Sequence, residues 1–165
     1  MNYILVPNGW HRLDAAAYKA KFPRAKVIAP AGGRKKIEQR VPVDLTFDEL
    51  PADDVVKLEM LDGLKGQEGV MHVRSSDGLT LVFTDAIFNL PGRFPGFWGV
   101  VYHEIMGSKP GPRVTRIAKL MLVNDKKSYR AHLERLAALP DLRRVIVAHG
   151  AVGDRDTIRA AMQTL

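Results

Sequence analysis

Leu81-Val82-Phe83-Thr84-Asp85-Ala86-Ile87-Phe88-Asn89, set beside Val145-Ile146-Val147-Ala148-His149-Gly150, decides the fold. Each segment is a run of strand-forming apolar residues that ends in one residue able to bind a metal. Short continuous apolar runs of this kind read as buried strands. Asp85 and His149 are therefore expected at the carboxyl ends of two strands, where open α/β sheets carry their chemistry. Gly150 strengthens the second case, because glycine lets the backbone turn sharply while the His149 ring projects. Two readings of each residue stand. Asp85 is a turn former or helix N-cap, or a ligand. His149 is satisfied by backbone groups, or it is a ligand.

Outward from these segments, the chain alternates strands and helices. Tyr3-Ile4-Leu5-Val6 is a strand closed by the turn Pro7-Asn8-Gly9. Asp14 then caps a helix that Pro23 stops, with Phe22 as its anchor, and Lys26-Val27-Ile28-Ala29 is a second strand. This order predicts a right-handed βαβ unit. Residues 34–40 read as a short helix and residues 42–51 as irregular and acidic. Val55 to Met60 and Gly69 to Arg74 are strands, and Ser75-Ser76-Asp77-Gly78 is a hairpin turn into Leu79 to Phe83. Together they predict a small antiparallel or mixed sheet.

Pro91 to Pro112 is rich in Gly, Pro and aromatics, and Phe94, Phe97, Trp98 and Tyr102 mark it as a helical lid or a partner-facing segment. Val114 to Val123 reads as a mostly buried helix. Tyr129, Leu133, Leu136 and Leu139 form the apolar stripe of another helix. Asp154 or Asp156 caps the last one. No repeat, low-complexity tract or second domain is visible, so residues 1–165 read as one domain.

Composition narrows the chemistry. The chain has no cysteine, which removes disulfides and thiolate metal sites and leaves His, Asp and Glu as the only strong ligands. No signal-peptide pattern or long apolar run is present, which leads to the expectation of a soluble cytoplasmic protein with no membrane contact. The net charge of +7 permits an anionic ligand or nucleic acid. The basic residues are dispersed, however, with Arg34-Lys35-Lys36 and Lys126-Lys127 as the tightest groups, and they are not interleaved with aromatics. Nucleic acid is accordingly disfavoured.

Asn8, His11 and Asp14 form a third cluster just past a strand end. His11 and Asp14 would share a helix face if the helix began early, although Asp14 as a plain N-cap is the stronger reading. His72 and His132 read as structural or solvated. His103-Glu104 is able to reach a pocket, but Gly107 breaks the His-Glu-x-x-His spacing of a zincin. Ala31-Gly32-Gly33-Arg34-Lys35-Lys36 lacks the Walker spacing and offers at most a backbone nest for an anion. No Gly-x-Ser-x-Gly elbow occurs, so a serine hydrolase has no support.

Residues 3–11, 22–27, 81–89 and 147–150, taken in order and spacing, resemble the metallo-β-lactamase superfamily, and most of all its uncharacterised DUF4336-type branch. The resemblance covers most of the chain through short motifs. It implies an α/β, αββα sandwich lacking part of the N-terminal half-sheet, because Met1 stands almost on the strand that precedes the first motif. It implies that Asp85 matches the bridging Asp and His149 the final His of a metal centre. The first motif departs from the family pattern, with His11 its single imidazole. The Gly-His turn is replaced by Gly63-Leu64-Lys65-Gly66. His11, Asp14, Asp85 and His149 are then the candidate metal residues, with Asn8, His103 and Glu104 as candidate pocket residues. The cofactor is either none or a single divalent metal, zinc first.

Three functions follow. The favoured one is a non-catalytic relative or one with a reduced metal site. The alternative is a metal-dependent hydrolase of an anionic ester, amide or phosphodiester. A basic nucleic-acid-binding module trails both. The shortened half-sheet would leave an edge uncovered, which predicts a homodimer.

Overall fold

A computed structural model describes residues 1–51 and 53–165. Two parallel strands open the chain, β1 (Tyr3–Leu5) and β2 (Lys26–Ala29), joined by helix α1 (Ala15–Lys21). They pair as Tyr3 with Lys26 through Leu5 with Ile28, as the βαβ reading requires. A third strand, β3 (Leu45–Thr46), adds to β2 in parallel, and a 3₁₀ turn at Phe47–Glu49 follows it. The stretch read as irregular therefore contributes a sheet edge. Two residues are too few to show a period, and only long-range pairing reveals them.

The second sheet has the order β4-β5-β6-β9, with β4 (Val56–Met60), β5 (Gly69–Ser75), β6 (Gly78–Phe83) and β9 (Leu142–Val147). The first three strands are antiparallel and β9 runs parallel to β6, so the sheet is mixed. Ser75 pairs with Gly78, which makes Ser76-Asp77 the two-residue hairpin loop expected from the sequence. A third, two-stranded ribbon joins β7 (Phe88–Leu90) to β8 (Gly111–Arg113). Helix α3 (Gly96–Val100) continues into a wider turn at Val101–Ile105 between these strands.

Each main sheet has its own apolar core. Beside the first, Ile4, Val6, Val27 and Ala29 pack with Ala15 of α1 and with Ile37 of helix α2 (Arg34–Ile37). Beside the second, Leu79, Leu81 and Phe83 bury every other residue of β6 on one face, as the two-residue strand period demands. They meet Tyr129, Leu133 and Leu136 of α5 (Lys126–Ala137) and Ile158 and Ala161 of α6 (Arg155–Met162).

The caps are local sequence chemistry. Asp125 accepts from the backbone of Lys127 and Ser128, and Asp154 and Thr157 form a capping box. Asp14 occupies the cap position of α1, but its side chain accepts no hydrogen bond there. Helix α4 (Arg116–Met121) is not the mostly buried helix expected, since Leu120 is 78% exposed and Ile117 and Met121 are also accessible. Its apolar residues lie on more than one face, and only Ala118 and the following Leu122 enter the core. Among the described residues, no helix is long and apolar enough to cross a membrane.

Candidate metal centre

Strands β6 and β9 lie parallel with Phe83 opposite Val147. Asp85 and His149 each stand two residues beyond that pair, so equal offsets on neighbouring parallel strands deliver them to one spot. His11 arrives from the loop after β1. The Nε2 atoms of His11 and His149 lie 3.2 and 3.0 Å from the same oxygen, Oδ1 of Asp85. All three ligand atoms fall within 4.8 Å of one another. Among the described residues, this is the one group of three such ligands so gathered.

Each member is fixed by identifiable contacts. Oδ1 of Asn8 accepts from the backbone N–H groups of Trp10 and His11, both at 2.9 Å, which shapes the turn that presents His11. The Asn8 amide nitrogen donates to Oδ2 of Asp85 at 2.8 Å, leaving Oδ1 to the two imidazoles. Phe88 stacks on the His149 ring at 4.5 Å. The His149 carbonyl accepts from Asn89, and Ala151 donates to the Asn89 carbonyl, so the loop is tied to β7. Gly150 at φ +135° has the Asn89 carbonyl so close that a Cβ would lie 1.9 Å from it. Only glycine fits there.

A second carboxyl group, missed in the sequence, lies behind the trio. Glu68 is wholly buried and accepts from Thr84 Oγ1 (2.7 Å), the Ala86 backbone (2.8 Å) and the same Asn8 amide (3.1 Å). It braces the Thr84–Ala86 turn that carries Asp85, and the buried Tyr129 hydroxyl donates to the Ala86 carbonyl from the opposite element. No motif marks Glu68; the sole sequence signal is an acid directly before a buried strand. Burial pushes its pKa up to about 7, with the Asp85 charge adding to the shift, against the hydrogen bonds that favour the carboxylate.

For Asp85, burial acts in the same upward direction but is outweighed. Hydrogen bonds from His11, His149 and Asn8 hold its carboxyl well below the usual range. The hydrogen bond to Asp85 raises the pKa of His11 above its ordinary value, against partial burial. The trio thus combines an ionised carboxylate with two imidazoles.

This donor set fits a divalent metal. Zinc–ligand bonds of about 2.0–2.1 Å at tetrahedral angles leave ligand atoms about 3.3 Å apart, close to the two imidazole–carboxylate separations. Three protein ligands would leave a tetrahedral ion one open coordination position. Asp85 is 17% exposed and both imidazoles 34%, so the trio is accessible. It lines a cleft of about 340 Å³, otherwise walled mainly by apolar side chains.

The remaining sequence candidates lie elsewhere. Asp14 is exposed on α1 and is not part of the gathered group. Asn8 holds the ligands from behind rather than lining the cleft. His103 is buried inside the helical segment, where Nε2 accepts from the Phe94 backbone at 2.7 Å and Nδ1 lies 2.6 Å from the Ser108 carbonyl. Glu104 pairs outward with Arg93 and Lys109. Leu64, at the expected Gly-His turn, is buried in the core of the second sheet.

No family model matches this sequence, and no curated protein matches it. Solved structures do. The chain is similar to a metallo-β-lactamase from Pontibacter korlensis with a TM-score of 0.65 at 12% identity, covering 99% of this chain and 68% of that one. It is similar to the DIM-1 metallo-β-lactamase, in a crystal exposed to ceftazidime, with a TM-score of 0.59 at 14% identity, covering 96% and 64%. An archaeal metallo-β-lactamase superfamily protein from Sulfolobus tokodaii matches with a TM-score of 0.53 at 14% identity, covering 99% and 67%. The chain therefore has the α/β architecture of the metallo-β-lactamase fold, on about two thirds of the length of the structures it matches.

Proposed function

We propose that this protein is a metal-dependent hydrolase with a reduced, single-metal centre, in which His11, Asp85 and His149 hold one divalent cation. The observation that carries the reading is the convergence of three ligand atoms within 4.8 Å in the wall of a ligand-sized cleft. Zinc is the first choice for two imidazoles and a carboxylate, although non-haem iron uses the same donors. Such an ion supplies Lewis acidity and an activated water at neutral pH.

The chain's own residues do the positioning. Asn8 anchors one oxygen of Asp85 so that the other meets the imidazoles, and Phe88 sets the plane of His149. Glu68 and Tyr129 hold the turn beneath Asp85. Outer partners of this kind orient metal ligands and tune their basicity. The apolar walls limit water at one side of the centre and align a substrate against it.

Leu64 favours a second reading, a relative that binds without catalysis, because an aliphatic side chain stands where the resemblance places an imidazole. One experiment separates them. Protein purified without chelator is assayed for zinc, iron and manganese by elemental analysis, then for ester and amide hydrolysis. Stoichiometric metal that is lost in His149→Ala, together with metal-dependent turnover, is the expected result. Metal without turnover selects the binding relative. Absence of metal even after incubation with zinc overturns both metal readings.

A further inference from the structure

We propose that the cleft beside His11, Asp85 and His149 takes an uncharged amphiphile, an ester or amide with a short apolar tail. The nature of the reacting group rests on the hydrolase reading; the tail-binding site does not. Hydrolysis here adds one water across the acyl C–O or C–N bond and releases a carboxylic acid and an alcohol or amine. It needs no other reactant.

The walls are the first argument. Beyond the trio, the cleft is formed by Phe88, Tyr102, Met106, Ile117, Met121 and Leu122 among others. Among the described lining residues none is Lys or Arg, so the net charge of +7 is not focused on this site. An anionic ligand would find no cation there except a metal. An apolar tail finds a continuous wall, with two methionines able to adjust to its shape. The volume of about 340 Å³ lies near the lower end of ligand sites, which limits the tail to a short chain.

Ser108 is the second argument. It lines the cleft, is 1% exposed, and its hydroxyl has no hydrogen-bond partner. Buried hydroxyls are normally paired, and an unpaired one is costly. The neighbouring hydroxyl in the wall, that of Thr115, is occupied, since it accepts from the Ala118 backbone at 3.1 Å. His103 makes Ser108 a fixed point by contacting its carbonyl at 2.6 Å while also accepting from Phe94. A carbonyl or amide of the ligand supplies the missing partner. This gives His103 a task as a positioning residue behind the wall.

The accessibility of α4 completes the picture. Ile117 and Met121 line the cleft yet are 39% and 45% exposed, so they form its mouth. Leu120, 78% exposed, extends the apolar surface beyond it. The excess of exposed apolar side chains on this short helix is thus explained by a ligand path rather than by the core.

The test uses the full-length protein, with and without zinc, and a series of N-alkylacetamides from ethyl to octyl, titrated by calorimetry. Affinity is expected to tighten about threefold to fourfold per added methylene until the cleft is full. Met121→Asp, or Ile117→Asp should the first misfold, flattens that slope to less than about half. Ser108→Ala weakens the whole series about fivefold without changing the slope, the loss of one hydrogen bond. An affinity independent of chain length, or a slope untouched by both aspartate variants, overturns the proposal. Cleavage of p-nitrophenyl esters of the same lengths by zinc-loaded protein separates this failure from that of the hydrolase reading. Chain-length-dependent binding without cleavage removes the hydrolase and keeps the cleft. Cleavage that ignores chain length does the reverse.

Discussion

Two carboxylates in this molecule are each flanked by two histidines, and they have opposite fates. Asp85 lies 3.2 and 3.0 Å from His11 and His149. Glu59, on β4, lies 2.9 and 3.3 Å from His72 and His132. The residue types are almost the same and so are the distances. The difference lies in what else is near. Arg135 of α5 pairs directly with Glu59 and also lies 2.9 Å from Nε2 of His132, whose Nδ1 meets Asp62. A guanidinium already neutralises that cluster and fills its donor positions. Among the described residues Asp85 has no such partner: its second oxygen goes to the uncharged Asn8, with the buried Glu68 beyond it. One cluster is closed by an arginine; the other has no cationic side chain among the described residues, as the proposed metal centre requires.

The sharpest test of this contrast exchanges the two acids for alanine. Asp85→Ala should lower zinc affinity by more than about a hundredfold, exceeding the effect of losing an outer-shell partner. Glu59→Ala should leave zinc affinity within about twofold and instead lower stability by about 2–3 kcal/mol, because Arg135 loses its carboxylate acceptor and the neighbouring His72 and His132 lose the charge between them. Calorimetric zinc titration and denaturant unfolding of both variants check this. Equal loss of metal in the two would erase the distinction drawn between them.

That distinction was half legible in the sequence. The strands ending at Asp85 and His149 announce themselves by continuous apolar runs, and the hairpin at Ser76-Asp77 by its turn chemistry. Both signals are local. His11 was recognisable because it follows a strand and turn. Asp14 reads more strongly as a plain N-cap than as a ligand, and it stands exposed at the cap position of α1, since three residues of spacing say nothing about where a loop points. Glu68 was invisible because its role comes from partners 16 to 60 residues away. Strands β7 and β8, three residues each, are too short to show a period. Helix α4 misled for another reason. Hydrophobicity alone does not separate a residue that faces the core from one that walls a cleft.

Glu68 and Glu59 extend the comparison to proton binding. For Glu59 burial raises the pKa, but the hydrogen bond and charge of Arg135, together with the nearby His72 and His132, outweigh it and the net shift is downward. Glu68, buried without a cation, is pushed up to about 7. A carboxyl group with a raised folded pKa holds its proton more tightly in the folded state, so its contribution to stability falls as pH rises from about 4.5 to about 7. Glu59 acts with the opposite sign: its contribution is present above its unfolded pKa and is lost as pH falls. In metal-free protein, the stability of wild type relative to Glu68→Gln should therefore decline by about 3 kcal/mol across that window. Urea unfolding at pH 4.5, 5.5, 6.5 and 7.5 measures it. A difference that stays constant with pH would mean that Glu68 ionises as an ordinary surface acid.

Asn8 carries the smallest of these effects and isolates the last element of the contrast, a neutral amide where the other cluster has an arginine. Its amide nitrogen bridges Asp85 and Glu68, at 2.8 and 3.1 Å, while its oxygen shapes the His11 turn. Replacing it with alanine removes an orienting partner but no ligand. Zinc affinity should fall about 10–100-fold, the range for outer-shell partners, and less than in Asp85→Ala. Asn8→Asp separates the two tasks, because its carboxylate still accepts from the Trp10 and His11 backbone but cannot donate to Asp85. If orientation of Asp85 is what matters, Asn8→Asp will not restore the affinity lost in Asn8→Ala. If presentation of His11 is what matters, it will. Zinc titration of the folded variants, with thermal melts to confirm folding, decides which contact holds the centre together.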